Sequence, residues 1–378
     1  MKVNSISALA KGFRDAGVRT AYNFPGFYSH ELFKALGENI TSVNEKIAYE
    51  FAWGSSIAGS KTVVTFKNVG LHDAADPFLN SYRTGINAGL VIVVFDNINL
   101  TGSQGIFDSR LFRMQTGGIW LEPKTIQECY DYAYRSFNDS EISKLPVVIR
   151  MSNSNIELVG EIEPRSGVDG GLLPYKKNFE KNVVHPITGN NHFDTWVTKN
   201  QNLQSALDSN ALGFSPNFLL GNRLNLETYI KRSYAKGGHI VTNKFEELYG
   251  QLRELGYIVS MDLEGYTVDG KKTAELCLCF DSATAVAGGV KRMLPNNPVA
   301  AIIGDTPFLH SGKNSIPELL QRKLPIDIFL MDNGGSQGTG GQKIPGDISK
   351  EAQIYDIEYI KIDLKDVSTL GSQLAIPS

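Results

Sequence analysis

Two short apolar runs, each ending in polar residues, constrain the fold of this chain more than any other feature of its sequence. The run at residues 299–303 leads to Asp305, and the run at residues 326–331 leads to Asn333. Between them, residues 315–320 have the composition of a capped helix. Such apolar, β-branched runs are typical of buried parallel strands. The pattern therefore predicts a βαβ unit whose two polar residues lie at the carboxyl edge of a sheet, where α/β proteins bind ligands.

The residues at this edge have the chemistry of a magnesium site. Mg²⁺ prefers hard oxygen ligands in octahedral geometry and usually keeps substrate phosphate or water in its shell. The Asp305 carboxylate, the Asn333 amide oxygen and the Gly335 carbonyl would supply three such oxygens. An aspartate cap and an asparagine-glycine turn are the alternative, and on these residues alone they are the simpler interpretation.

The same residues resemble a known cofactor motif. Gly304-Asp305-Thr306 followed by Asn333 is similar to the diphosphate motif of thiamine-diphosphate enzymes. Residues 304–312 and 331–346 resemble, more narrowly, the large subunit of indolepyruvate ferredoxin oxidoreductase. The resemblance implies thiamine diphosphate and Mg²⁺ as cofactors, with the metal held by Asp305, Asn333 and Gly335. It also implies a set of cofactor-binding residues in this region: Gly304, Asp305, Thr306, Asn333, Gly335 and Ser336.

A second motif lies far upstream, at residues 42–54. Glu45, Ala48 and Ala52 fit the pattern of the pyrimidine-binding domain in that superfamily, and their spacing places them on one helix face. The resemblance implies that Glu45 is catalytic and binds the cofactor, by hydrogen bonding to N1′ of the aminopyrimidine. A raised pKa would suit a carboxyl that shares a proton with the ring. Alternatively, Glu45 is a first-turn glutamate favoured by the helix dipole.

Agreement with the oxidoreductase pattern continues at residues 65–72, 74–77, 90–96, 103–104, 108–110 and 121–123. The same resemblance implies two further cofactor-binding residues in the second domain, Glu264 and Cys279. Residues 276–281 depart from the family pattern, because Asp281 stands where the family has glycine. The added bulk and charge put normal substrate placement there in doubt.

Candidate substrate and proton-transfer residues follow from the same resemblance. The loop after the first strand resembles the family's substrate loop, and its candidate residues are Pro25, Gly26, Phe27 and His30. A core-packing role for Phe27 is an equal alternative. His72 and His310 lie inside matched motifs and are the candidate catalytic histidines. A structural role at a helix start remains open for His310.

Composition excludes several classes of function. The chain has 378 residues, is 42% hydrophobic and carries a net charge of −3, with a pI near 6.1. Lysines and arginines are scattered among acids, so we expect neither nucleic acid nor membrane as a partner. The N-terminus lacks the apolar core of a signal peptide, which makes a cytoplasmic location the default. Three cysteines cannot ligate a [4Fe–4S] cluster in the usual manner, so we expect no electron transfer from this polypeptide alone.

These observations predict an α/β chain with two thiamine-diphosphate-binding-fold domains, each a parallel sheet flanked by helices, joined by a loop-rich connector. We place a pyrimidine-binding domain at residues 1–154, the connector at 155–235 and a diphosphate-binding domain at 236–378. The two-domain size resembles phosphonopyruvate and sulfopyruvate decarboxylases.

The resulting prediction is non-oxidative decarboxylation of a 2-oxo acid, an arylpyruvate as a first guess, giving an aldehyde or, after addition to a second carbonyl compound, an acyloin. Two alternatives stay open: a subunit of an oxidoreductase whose clusters lie on a partner, and a cofactor-binding protein that has lost catalysis. Family architecture also implies a homodimer or homotetramer with shared active sites.

Overall fold

A computed structural model describes residues 1–98, 107–185, 188–189, 191–192, 194–196, 198, 243–263, 272–336, 342–355 and 359–361. The contacts divide the chain into two compact units. The first contains Met1–Lys176 and the described residues between 191 and 198, and the second contains Lys177–Asn190 and the described residues from 243 onward. Our division at residues 154 and 235 stays a prediction.

The first unit is a five-stranded parallel sheet with helices on both faces. The strand order is β2-β3-β4-β6-β5, and β1 pairs with β7 in a separate antiparallel ribbon. The strands are β1 (Lys2–Asn4), β2 (Thr20–Asn23), β3 (Thr62–Lys67), β4 (Leu90–Asp96), β5 (Ile119–Leu121), β6 (Val147–Ser152) and β7 (Val159–Glu161). The helices are α1 (Ser5–Asp15), α2 (Ser29–Ala35), α3 (Glu45–Ile57), α4 (Asn68–Asp73), α5 (Ala75–Thr84), α6 (Arg110–Thr116), α7 (Ile126–Ser143) and α8 (Asn153–Ile156).

Burial of the central strands explains their sequence. Every residue of β4 is buried, as its continuous apolar run predicts for a strand covered on both faces. Val91, Val93 and Phe95 pack in a core with residues of α1, α2 and α7. Residues of α3 and α5 are also buried, among them Trp53 and Phe78. The carboxyl ends of β2, β3 and β4 therefore lie side by side at one edge of a two-sided sheet.

The second unit is a four-stranded parallel sheet in the order β11-β10-β9-β8. Its strands are β8 (Ile258–Met261), β9 (Val299–Gly304), β10 (Asp327–Asp332) and β11 (Tyr359–Lys361). Its helices are α9 (Phe179–Asn182), α10 (Asn243–Glu254), α11 (Ala283–Met293), α12 (Asp305–His310), α13 (Ile316–Gln321) and α14 (Ile348–Ile354). Register pairs Met331 with Gly304, so the polar residues that follow β9 and β10 leave the sheet at the same level.

Two local predictions were wrong. The run at residues 275–280 has the apolar composition of a strand, but it makes only single bridges, since Leu276 pairs with Ser260 whereas Cys277 pairs with Val183. Because consecutive residues bond to different neighbours, no ladder extends. Ser315 precedes α13 but does not cap it through its side chain, which donates instead to Thr284 and Gly312.

Among the described residues, no helix is both long enough and apolar enough to cross a membrane. The α/β class with helix-flanked parallel sheets, predicted from the sequence, is confirmed.

Candidate active site

Glu45 is the first residue of α3, which follows β2 and α2 in the first unit. Its predecessor Asn44 is extended and accepts a hydrogen bond from the Ile47 amide at 2.8 Å, which starts the helix. Ala48 and Ala52 are fully buried on the same helix. Burial raises the pKa of the Glu45 carboxyl, and the charge of Asp73 adds to the rise, while a backbone hydrogen bond offsets part of it. This is the direction that a proton-sharing carboxyl requires.

Gly70, in α4, packs directly against the Glu45 carboxyl. A Cβ at this position would lie 2.3 Å from Glu45 Cγ and 2.5 Å from its Oε1. No side chain fits such a gap without displacing the carboxyl. The glycine of α4 therefore fixes where Glu45 can lie. The two residues are far apart in sequence, and this contact was not predicted.

His72 lies two residues beyond Gly70 and is exposed. Its ring packs against Phe107 and Phe112, with centroid distances of 5.2 and 5.1 Å. Asn68, at the start of the same helix, donates a 2.7 Å hydrogen bond to the Phe107 carbonyl. The imidazole is thus held at the edge that carries Glu45.

A buried ion-pair network supports the segment that contacts His72. Arg150, at 3% exposure, donates from Nε to Asp96 at 2.6 Å and from Nη1 to Glu122 at 3.0 Å. Asp96 also accepts from the amide and hydroxyl of Ser109. Burial raises the pKa of Asp96, and Arg150 and Ser109 offset part of that rise. The network ties β4, β5 and β6 to the start of α6, a linkage that sequence reading did not detect.

The predicted substrate loop follows β2 at the same edge of the sheet. Pro25 is exposed, and Gly26 packs on the Lys67 side chain. A Cβ added at Gly26 would lie 3.1 Å from the Cβ of Lys67. Phe27 has a left-handed φ of 51° and packs against the core, edge-on to Tyr28 at 4.7 Å. His30 lies on α2 and stacks on Phe33. The loop is thus anchored to the end of β3, next to the helix that carries Gly70.

In the second unit, Asp305 begins α12 directly after β9. Its Oδ1 accepts from the Thr306 amide at 2.5 Å and from the Thr306 hydroxyl at 3.0 Å, and its Oδ2 accepts from the Gly335 amide at 2.8 Å. Burial raises the pKa of the Asp305 carboxyl, and these hydrogen bonds offset part of the rise. Gly304 ends β9 in extended conformation. The carboxylate therefore joins the two strand ends predicted to form one site.

The turn after β10 requires its glycines. Gly334 and Gly335 have φ values of 81° and 138°, which residues other than glycine rarely adopt. A Cβ at Gly335 would also lie 2.4 Å from the Gln342 carbonyl. Asn333 is half-buried at the start of this turn, and Ser336 at its end pairs with Gln342. The turn brings the Gly335 amide within 2.8 Å of Asp305 Oδ2.

This donor set fits the magnesium diphosphate group that the sequence implies. A carboxylate, an amide oxygen and a backbone carbonyl are hard ligands, and diphosphate oxygens and water would complete an octahedral shell. Among the residues described, no three His, Cys, Asp or Glu side chains group as a metal cluster.

Two other predicted positions have different outcomes. Cys279 is fully buried; its amide donates a hydrogen bond to Ser282 Oγ, and the Ser282 hydroxyl donates to the Cys279 carbonyl. Glu264 lies outside the described residues.

Asp281 and His310, which sequence reading considered separately, are in contact. His310 Nδ1 pairs with Asp281 Oδ2. Asp281 adopts a left-handed φ of 63°, a conformation that favours glycine and that aspartate tolerates. The family glycine at this position is therefore explained by the backbone, and its replacement adds a carboxylate facing a histidine.

Comparison with known proteins agrees with this geometry. Residues 265–367 match the family of the thiamine pyrophosphate enzyme C-terminal TPP binding domain. Indolepyruvate oxidoreductase subunit IorA of Archaeoglobus fulgidus is 33% identical over 155 residues, covering 38% of this chain and 25% of the relative. IorA of Methanothermobacter marburgensis is 28% identical over 264 residues, covering 67% of this chain and 40% of the relative. The chain thus aligns with less than half the length of these relatives.

The fold is also similar to a solved structure. Rhodococcus jostii RHA1 thiamine diphosphate-dependent 4-hydroxybenzoylformate decarboxylase matches with a TM-score of 0.59, 12% sequence identity and 93% coverage of each chain. At this identity the likeness concerns the fold alone. The resemblance to the thiamine-diphosphate enzyme superfamily and to IorA, predicted from the sequence, is confirmed.

Proposed function

We propose that the chain catalyses non-oxidative decarboxylation of a 2-oxo acid, with an arylpyruvate as the first candidate substrate and an aldehyde or acyloin as product. The observation that carries the proposal is the half-buried Glu45 carboxyl, whose pKa is raised by desolvation and which packs against Gly70 at the edge of the first unit. The Asp305 group in the second unit supplies a complementary diphosphate site.

Six of the predicted residues have distinct roles in this reaction. Bound thiamine diphosphate would supply the nucleophilic carbon and accept the electrons left when CO₂ departs. Asp305, Asn333 and the Gly335 carbonyl would hold Mg²⁺ and, through it, the diphosphate. Glu45 would exchange a proton with N1′ of the pyrimidine. His72 would lie beside the substrate, and the aromatic loop at Phe27 would contact its side chain.

A CO₂-release assay tests this function directly. The chain, supplied with thiamine diphosphate and Mg²⁺, is expected to release CO₂ from an arylpyruvate faster than from phosphonopyruvate or sulfopyruvate. Cofactor-induced thermal stabilisation without CO₂ release from any of these acids would contradict the proposal and favour a binding protein that has lost catalysis.

The IorA relatives favour a second candidate, a subunit of a 2-oxo acid oxidoreductase whose clusters reside on a partner. Purification from the native cell separates the two. A brown, iron-containing complex with a second polypeptide supports the oxidoreductase, and a colourless homo-oligomer supports the decarboxylase.

We further propose a homodimer or homotetramer in the cytoplasm, in which Glu45 and Asp305 of different chains act on one cofactor. Large apolar side chains are exposed on the first unit, as expected of a surface covered in an assembly. They are Val43, Val69, Phe107, Leu111 and Met114.

Mixing inactive variants tests the shared site. Glu45→Ala and Asp305→Ala proteins, mixed in equal amounts with subunit exchange verified by affinity tags, are expected to recover up to about a quarter of wild-type activity. Half of the resulting dimers are mixed, and each mixed dimer has one intact site. Verified exchange without recovery would refute sharing between chains.

A further inference from the structure

We propose that Asp281 and His310 form a dyad that delivers a proton to the substrate carbon after CO₂ has left, and so directs the reaction to an aldehyde rather than to oxidation. This inference rests on the proposed decarboxylation. It assigns a function to the residue that departs from the family pattern, and it distinguishes this chain from a glycine-containing relative.

The contacts hold His310 in one orientation. Asp281 Oδ2 pairs with Nδ1 of the imidazole, and the neighbouring Phe280 ring lies edge-on to it at 5.4 Å and 70°. The amide of Asp281 donates to Asp262 Oδ1 at 2.6 Å, and this hydrogen bond holds the left-handed backbone of Asp281 in place. Two consecutive side chains and one backbone anchor therefore define the position of the ring.

Exposure differs sharply between the two partners. The Asp281 side chain is 1% exposed, whereas that of His310 is 65% exposed in the chain. A carboxylate on Nδ1 selects the tautomer with its proton there and leaves Nε2 as the nitrogen that exchanges protons. Nε2 is therefore the outward-facing acid or base, and Asp281 is a positioning residue that touches no substrate.

The dyad lies at the edge predicted to bind the cofactor. His310 ends α12, the helix that Asp305 begins, and Asp281 follows the segment containing Cys279. Gly312, just after His310, would place a Cβ 3.3 Å from the Asp281 carbonyl, so the end of α12 packs on the Asp281 turn. The proton-transfer nitrogen and the diphosphate carboxylate thus occupy opposite ends of one short helix.

The proposed step balances without an oxidant. The bond between the carbonyl carbon and the carboxylate breaks, CO₂ leaves, and a proton from His310 Nε2 forms the new C–H bond. The overall change is RCOCOO⁻ + H⁺ → RCHO + CO₂, and solvent returns the proton to the imidazole. In an oxidoreductase the same electrons would pass to an acceptor.

Three variants test the dyad. Asp281→Gly suits the left-handed backbone, Asp281→Asn keeps the size of the side chain without its charge, and His310→Gln removes the proton-transfer group. Each is expected to lower kcat for aldehyde release by on the order of 10²-fold or more, with KM and cofactor-induced stabilisation unchanged. Lys323→Gly is the matched control, because Lys323 has a φ of 54° and is exposed outside the dyad.

An artificial acceptor locates the defect. Ferricyanide is expected to restore CO₂ release in the three variants, with carboxylic acid as product, by the balance RCOCOO⁻ + H₂O + 2 Fe(CN)₆³⁻ → RCOO⁻ + CO₂ + 2 Fe(CN)₆⁴⁻ + 2 H⁺. A wild-type kcat in Asp281→Gly would overturn the inference. So would a loss that ferricyanide does not restore, because the defect would then precede CO₂ departure.

A spectroscopic readout separates this inference from the proposed function. With ¹⁵N-labelled histidine in the cofactor-free chain, His310 is expected to carry its proton on Nδ1, and Asp281→Asn and Asp281→Gly are expected to abolish that preference. The absence of an Nδ1 preference in wild type would refute the dyad itself. Failure of wild type to release CO₂ would refute the decarboxylase while leaving the tautomer result intact.

Discussion

Replacing Glu45 with glutamine is expected to lower the rate of CO₂ release by on the order of 10³-fold, the size of effect typical of a removed acid or base. Glutamine preserves the shape of the side chain but cannot exchange a proton with the pyrimidine. The measurement is kcat for CO₂ release at saturating thiamine diphosphate and Mg²⁺.

The same variant is expected to be at least as stable as wild type near neutral pH. Burial raises the pKa of Glu45 in the folded chain. A carboxyl with a raised folded pKa contributes stability that is present below its unfolded pKa and lost as pH rises through the folded value. The wild type therefore bears a cost at pH 7 that glutamine does not, and thermal melts of the cofactor-free proteins should converge under acidic conditions.

Glu128→Gln is the matched control, because it tests the alternative that Glu45 is merely a helix-start glutamate. Glu128 lies in the first turn of α7, is half-buried and accepts a hydrogen bond from the Lys124 amide. Its replacement is expected to leave CO₂ release unchanged. Equal kinetic behaviour of the two variants would assign Glu45 a structural role only.

Gly70→Ala examines the same carboxyl without altering a titratable group. The added methyl would overlap Glu45 Cγ and Oε1 and force the carboxyl to move. Alanine favours helix by about 1 kcal/mol over glycine, so α4 itself should tolerate the change. We expect activity to fall on the order of 10²-fold, as misplacement of a catalytic group by about 1 Å can cause. Wild-type activity in this variant would contradict the assigned position of Glu45.

Periodicity and composition were sufficient to locate the strands that carry both halves of the site. Apolar, β-branched runs at residues 62–66 and 90–95 predict strands, and these match β3 and β4 to within one residue. The run at residues 145–150 predicts a third strand, which begins later, at Val147, since Pro146 lacks an amide donor for the ladder. Parallel strands buried on both faces are continuously apolar, and this signal is strong enough to read without tertiary information.

The contacts that orient the candidate catalytic groups could not be read in the same way. Gly70 meets Glu45, and Asp281 meets His310, across separations that no local pattern encodes. Asp281 was recognisable only as an anomaly in a motif. Its left-handed φ shows why glycine suits that position, and its partner emerges only when α12 packs on the turn. Sequence motifs therefore identified the reacting groups, and tertiary packing identified what holds them.

Asp305→Asn is expected to abolish the stabilisation that thiamine diphosphate and Mg²⁺ confer on the chain. A ligand that binds only the folded state at 100 times its Kd stabilises it by about 2.7 kcal/mol. The variant loses the negative charge that balances the metal. In the wild type, the amides of Thr306 and Gly335 each donate to one carboxylate oxygen of Asp305. In the variant, one of these two donors faces an amide nitrogen, which cannot accept a hydrogen bond. The measurement is the melting temperature with and without cofactor, together with the heat of cofactor binding.

Asp347→Asn separates loss of the metal from loss of local hydrogen bonds. Asp347 is exposed at the start of α14 and accepts from the Ser349 amide and hydroxyl, much as Asp305 accepts from Thr306. Its replacement is expected to retain the full cofactor response, whereas Asp305→Asn loses it even where the cofactor-free proteins melt alike. Diphosphate binding through Mg²⁺ needs an anionic ligand at the end of β9. A wild-type cofactor response in Asp305→Asn would therefore contradict the assignment of the metal to this site.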